Sequence, residues 1–260
     1  MPWKLLLSPA MSGAENMAVD EALMGRAAEC REPVLRVYSW RVPTLSLGRN
    51  QTARGHYDLD RARQAGVEIV RRPTGGRAVL HHREVTYSVT APVDGWGTLG
   101  ESYGRVNRLV LDGLRRLGIA AALARTVAPS PLPGVAPCFE NPVAGEIVAG
   151  EGVGERKLVG SAQYRDRDAL LQHGSILVED DQHLATTLLV NPPPPAPPPA
   201  TLRALLGRIP SVEEVAHALF EAVRATEDPH AAFLELDDGL QRIARRARLT
   251  YQDDAWTWRR

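Results

Sequence analysis

Four short stretches of this sequence carry side chains suited to chemistry. The first is PCFENP, where Cys138 stands in a proline-flanked segment; a loop thiol is a candidate nucleophile, because the thiolate is the reactive form and a loop gives access to it. The second is RKLVGSAQ, where Lys157 enters an apolar strand and is followed by Gly160, Ser161 and Ala162, small residues that open space beside it. The third is RRPTGGRAVLHH. Its pair Gly75-Gly76 lets backbone approach a ligand and exposes amide donors, with Arg71, Arg72 and Arg77 adding positive charge. The fourth is Gln172-His173-Gly174-Ser175, where a glycine inside a strand marks close approach of a ligand or another backbone. Each also has a plain structural reading. Most cysteines are buried without function, the glycine pair reads first as a hairpin turn, Lys157 fits a strand end on the surface, and a lone histidine is commonly structural.

Composition bounds what surrounds these residues. The chain has 260 residues, 31 Lys+Arg against 31 Asp+Glu, 44% hydrophobic and 24% charged residues, which is ordinary globular composition and long enough for a core without disulfide or metal staples. Zero net charge weakens a general nucleic-acid or membrane-surface role but leaves room for a local basic patch. The two cysteines, Cys30 and Cys138, make neither a disulfide framework nor a zinc site, and no His, Cys and acid cluster has metal spacing. The start, MPWKLLLSPAMSG, is too short in apolar residues for a signal peptide, and no stretch approaches a membrane span. A cytoplasmic protein with free thiols is expected.

The elements that must position the four stretches follow from pattern. Ser12-Gly-Ala-Glu15 is a capping-box spacing ahead of a helix-like run, 16–29. PVLRVYSW, TLSLGR, VEIVRRP and EVTYSVTA read as strands, as do KLVGSAQ and ALLQHGSILVE. A helix from about Ser102 places Val106, Leu109, Val110, Leu114 and Leu117 on one face, with Arg105, Arg108, Arg115 and Arg116 largely on a solvated side. Short alternating strands predict a mixed or antiparallel sheet with packed helices, an α+β fold. Residues 128–154 read as loop. Pro192 to Pro199 holds seven prolines in eight residues, and reads as an extended spacer without chemistry. The division expected is a catalytic domain 1–191, a proline-rich linker 192–200 and a helical C-terminal segment 201–260. In the last, Ser211 to Glu214 is a second capping box, and Leu236, Leu240, Ile243 and Ala247 share one helix face.

Taken together, NMAVDEAL, VLRVYSW, PTLSLGRNQ, RRPTGGRAVLHHREVTYSV, PCFENP, KLVGSAQ and LLQHGSIL resemble, in order, the lipoate-protein ligase and octanoyltransferase superfamily, over about residues 12 to 190. Within it the resemblance is to the LipM-type octanoyltransferases. It implies the α+β fold shared with biotin and lipoate ligases, and transfer of octanoate from octanoyl-acyl carrier protein to a lysine of a lipoyl-domain protein such as the glycine-cleavage H protein. No nucleic acid, membrane, metal or ATP is implied. By resemblance Cys138, in the context Cys138-Phe139-Glu140, is the acyl acceptor, and Lys157 lowers its pKa. The acyl pocket maps onto Arg72, Thr74, Gly75, Gly76, Arg77, Ala78, Val79, Leu80 and His81, onto Gly160, Ser161 and Ala162, and onto His173, Gly174, Ser175 and Ile176. Arg77 stands where ATP-using ligases have a third glycine, which favours the transferase; His82 stands where the family often has an acid. Two other enzymes on the same fold remain open: an ATP-dependent lipoate ligase, and an amidotransferase moving octanoate between lipoyl-domain proteins. A non-catalytic binding protein is the third reading, against which the Cys138 and Lys157 pair argues.

Overall fold

Ser12 and Glu15 do form the reciprocal cap: Ser12 Oγ accepts from the Glu15 amide, and Glu15 Oε2 accepts from the Ser12 amide at 3.0 Å. The helix they start is the first of eight in the computed structural model, which describes residues 1–124, 139, 145–150 and 154–260. In chain order the elements begin with β1 (Lys4–Leu7), α1 (Gly13–Cys30), β2 (Val34–Tyr38), β3 (Thr44–Leu47), α2 (Leu59–Gln64), β4 (Glu68–Arg71), β5 (Val79–His81) and β6 (Glu84–Pro92). They continue with α3 (Leu99–Arg116), β7 (Ala121–Leu123), β8 (Ile147–Ala149), β9 (Arg156–Arg165), β10 (Ala169–Leu177) and α4 (His183–Thr187). The last are α5 (Leu202–Leu206), α6 (Val212–Thr226), β11 (Ala232–Phe233), α7 (Asp238–Tyr251) and α8 (Asp254–Thr257).

The strands make an eight-stranded sheet, β11-β1-β2-β6-β10-β9-β8-β7, and a three-stranded sheet, β4-β3-β5. Both are mixed, as the alternating strands predict: β1 runs parallel to β2 and β11, β3 parallel to β4, and the β2-β6-β10-β9 run is antiparallel. The main core lies between the large sheet and helices α3 and α6, around Tyr87, Val110, Leu114 and Leu219. On the other face α1 packs against α7, with Met17, Leu23, Leu240 and Tyr251 between them. Among the described residues no helix is long and apolar enough to cross a membrane.

Several local expectations change. Helix α3 starts at Leu99, under a capping box of Thr98 and Glu101 that precedes the apolar periodicity. Its Arg105 is not merely solvated, since it stacks on Trp96 at 4.2 Å and pairs with Glu227. The Ser211 cap is only half a box, because the Glu214 carboxylate turns to Arg208 instead of back to the cap. On α7 the buried positions are Leu240 and Ala244, whereas Ile243 is 51% exposed. Nor is the proline stretch detached. The Ala200 amide donates to the Lys157 carbonyl at 3.0 Å, and Pro195 and Pro197 to Pro199 share a groove with Phe139.

Candidate active site

The two sheets face each other across a narrow slot. From the small sheet and its loops come Ser46, Arg72, Gly76, Val79 and His81; from the large sheet come Thr86, Gly160, Ser161, Ala162, His173, Gly174 and Ser175. Strand alternation decides which neighbours are left out. Ala78 and Leu80 point into the cluster around Leu45 and Leu47, and Ile176 points into the main core, so these three expected pocket residues do not line the slot. Arg77 is buried beside it.

The glycine turn is a built structure. Arg72, itself buried, donates to the Ser46 carbonyl at 2.8 Å and its hydroxyl at 3.0 Å, and to the carbonyls of Gly75 and Arg77 at 2.6 and 2.7 Å. Gly76 takes φ +87°, a left-handed conformation that a side chain disfavours. A Cβ on Gly48 would lie 1.9 Å from the Gly76 carbonyl oxygen, so the Ser-Leu-Gly end of β3 can close on the turn only without a side chain there. The pair is therefore no plain hairpin turn.

Two histidines stand on either wall. His81 stacks on Trp40 with centroids 4.1 Å apart. Its Nδ1 lies 2.9 Å from Glu84 Oε1 and its Nε2 2.7 Å from Ser46 Oγ. Glu84 is an acceptor that also receives the Thr86 hydroxyl, which in turn receives the Trp40 indole N–H at 2.8 Å. With Glu84 as the acceptor, Nδ1 is the donor in that bond. His82 takes no part; it turns outward to Asp181, at 2.8 Å.

Opposite, His173 Nε2 meets Thr74 Oγ1 at 2.6 Å, and its Nδ1 lies 3.5 Å from Asp20 Oδ2. Burial pushes the His173 pKa down against the opposing pull of Asp20, so the ring is held neutral. Asp20 comes from α1 and receives Arg36 at 2.7 Å, Ser88 at 2.7 Å and Tyr38 at 2.9 Å. Burial would raise the Asp20 pKa, but Arg36 and His173 carry it below the usual value, so it stays ionised.

Lys157 and Glu146 form the remaining charged pair, Nζ to Oε1 at 2.8 Å, with both side chains buried. Phe139 covers this corner, its ring 5.2 Å from the Lys157 ammonium and within van der Waals reach of a Cβ built on Gly160. Cys138 and Glu140, on either side of it in the sequence, lie outside the described residues. Cys30 is exposed at the end of α1. The slot encloses about 30 Å³, the share of one water molecule in the liquid, about 30 Å³.

Asp20, Ser46, Glu84 and Glu146 were not singled out from the sequence. Asn16 and Asp20, polar at i and i+4 among Met17, Val19 and Leu23, were the signal available for the first. Ser46 alternates with Leu45 and Leu47 but resembles any strand serine.

The profile of the lipoyl protein ligase A/B catalytic domain matches residues 12–224. An octanoyltransferase LipM of Kyrpidia tusciae is 38% identical over 277 aligned positions, covering 99% of each chain. An octanoyltransferase LipM of Carboxydothermus hydrogenoformans is 45% identical over 183 positions, covering 69% of this chain and 66% of that one. A crystal structure of lipoate-protein ligase A bound with ATP superposes with TM-score 0.80 at 26% identity, over 99% of both chains.

Proposed function

This chain belongs to the lipoyl protein ligase A/B catalytic-domain family, and on that premise we propose that it is an octanoyltransferase of lipoate biosynthesis that carries the acyl group on Cys138. The donor is octanoyl-acyl carrier protein. The acceptor is a lysine of a lipoyl-domain protein, such as the glycine-cleavage H protein. The observation that carries the cysteine route is Phe139: covalently joined to Cys138, it sits at the Lys157 ammonium beside the slot.

An unperturbed thiol, pKa about 8.5, is only about 3% thiolate at neutral pH. An ammonium about 4 Å away favours the thiolate by up to ~4 kcal/mol at an effective dielectric near 20. Desolvation of the thiolate and the Glu146 carboxylate both oppose this. The thiolate attacks the carbonyl carbon of the donor thioester, the bond to the carrier sulfur breaks, and the carrier thiolate leaves. The acceptor amine then attacks the Cys138 thioester, loses a proton and expels the thiolate. The first step exchanges one thioester for another and the second forms an amide, so neither requires ATP. In this reading backbone amides near Gly75-Gly76 or Gly160 stabilise the oxyanion. Six buried methylenes, at ~0.8 kcal/mol each, contribute about 5 kcal/mol.

Intact mass after incubation with octanoyl-acyl carrier protein and no ATP tests the reading. A gain of one octanoyl group, absent in Cys138→Ser, is expected. Modification of a lipoyl domain by free octanoate or lipoate only when ATP is present would make the protein a ligase instead.

A further inference from the structure

Behind the glycine turn, on the side away from the slot, lies a groove of about 520 Å³ between α1, α7, the β9-β10 turn and α8. Its wall at the turn is Pro73 with Arg49, Tyr164 and Trp256. Arg49 is fastened to the turn by its backbone, which donates to the Thr74 carbonyl at 2.7 Å. Its guanidinium lies over the Tyr164 ring at 4.6 Å and faces Trp256 at 5.7 Å. Arg259 covers Trp256 at 3.8 Å and donates to the Arg49 carbonyl at 2.6 Å, while its Nε is buried without a hydrogen-bond partner. Arg71, Arg54 and Arg260 stand behind them, bound to backbone carbonyls or to each other's segments.

Among the described residues none of these five arginines pairs with a side-chain carboxylate. The groove lining holds Arg49 against Glu21, Asp166 and Asp168, so the excess of positive charge is local to the arginine cluster beside the turn. The field acts on its own members: burial, with Arg259 and Arg260, pushes the Arg71 pKa down to about 10. The acids of the groove, Glu21, Asp166 and Asp168, belong to the walls formed by α1 and the β9-β10 turn. Ring contacts confine two guanidiniums, so less freedom is lost when they bind an anion, and guanidiniums suit a phosphate.

We propose that Arg49, at the turn end of this groove, and Arg259, beside it on Trp256, form a phosphate subsite that holds the phosphodiester of the carrier arm delivering the acyl thioester. The assignment rests on the acyltransferase reading above. A carrier presents its acyl group at the end of a long phosphopantetheine arm, so its phosphate must be received outside the acyl slot. The Arg49–Thr74 bond ties such a place to the turn that borders the slot.

Two donors separate the phosphate from everything else: octanoyl-4′-phosphopantetheine and octanoyl-pantetheine. With Arg49→Gln or Arg259→Gln, kcat/KM for acyl-enzyme formation is expected to fall about tenfold for the phosphorylated donor, with the unphosphorylated donor changed less than about twofold and Arg49→Lys retaining most of the rate. Equal losses with both donors, or no loss with either, would overturn the subsite. So would a loss seen only with the complete carrier protein, which would assign the arginines to the carrier's surface. If wild type takes octanoate from neither donor, the acyltransferase reading fails instead. Calorimetric binding of 4′-phosphopantetheine, weakened in Arg49→Gln relative to wild type, then supports the subsite alone, and unchanged or absent binding overturns it.

Discussion

Lys157 Nζ donates to Glu146 Oε1 at 2.8 Å with both side chains buried, so the ammonium assigned to Cys138 already faces a carboxylate. The two charges therefore act on a nearby thiol with opposite signs. Lys157→Ala should move the iodoacetamide alkylation profile of Cys138 to higher pH and cut turnover by a large factor. Glu146→Gln should move the profile to lower pH. Either change takes an opposite charge away from a buried group, so both should lower the melting temperature. Profiles that shift the same way in both variants would place the thiol outside the reach of this pair.

Cys138→Ser should abolish acyl transfer and the mass gain from donor, because a serine hydroxyl there has no comparable tendency to ionise. Cys30→Ser should leave both unchanged, since Cys30 is exposed at the end of α1. Intact mass spectrometry of the two variants decides this.

Gly76 and Ala162 separate two ways of damaging the slot. At Gly76, φ is +87° and a Cβ would sit 2.9 Å from the Arg72 guanidinium. Gly76→Val should thus depress transfer of butanoyl and octanoyl alike and lower the melting temperature. Ala162 lines the slot with an ordinary side chain. Ala162→Leu should depress octanoyl transfer several-fold more than butanoyl, with stability nearly kept. Competition between the two donors, measured beside thermal melts, checks both.

Acid should loosen the slot through His173. Its folded pKa lies below the unfolded value, about 6.5, because burial penalises the charged ring. The unfolded chain therefore takes up the proton first. Stability from the neutral ring is complete above pH ~6.5 and is lost as pH falls toward and through the folded value. Wild type should melt progressively lower from about pH 6.5 downward, and His173→Gln should flatten that part of the profile. Equal slopes would mean that another group titrates there.

The proline stretch shows how far local reading carries. Seven prolines in eight residues predict extended chain, but no pattern within them says what they lie against. The groove shared with Phe139, and the bond from Ala200 just after the stretch to the Lys157 carbonyl, join it to distant parts of the chain. Replacing Pro192 to Pro199 by a Gly/Ser segment of equal length should therefore slow acyl-enzyme formation several-fold, instead of leaving turnover intact. Stopped-flow acylation of folded protein is the measurement. The same limit explains the rest. The Ser12–Glu15 cap and the long strands were legible because their partners lie within a few residues. Glu146 falls in a stretch that reads as loop, Glu84 looks like any strand-end acid, and Arg49, Arg71 and Arg259 become neighbours only through folding. Motif order singled out the turn, the lysine and the histidines as candidates; it could not say that Ala78, Leu80 and Ile176 face away, since that depends on which side of each strand meets the other sheet.

The ties between the Arg260 carbonyl and the amides of Ala53 and Arg54, and between Arg71 and the Thr257 carbonyl, also set an order of events during translation. The strands of the small sheet leave the ribosome long before residues 254–260 are made. Domains begin to organise as they emerge, N-terminal parts first, but the Ala53 and Arg54 amides and the Arg71 Nε meet these acceptors only when the last helix arrives. A nascent chain that stalls short of that point can pair β3, β4 and β5 and close the glycine turn on Arg72, yet its Ala53 and Arg54 amides and the Arg71 Nε still await their final acceptors.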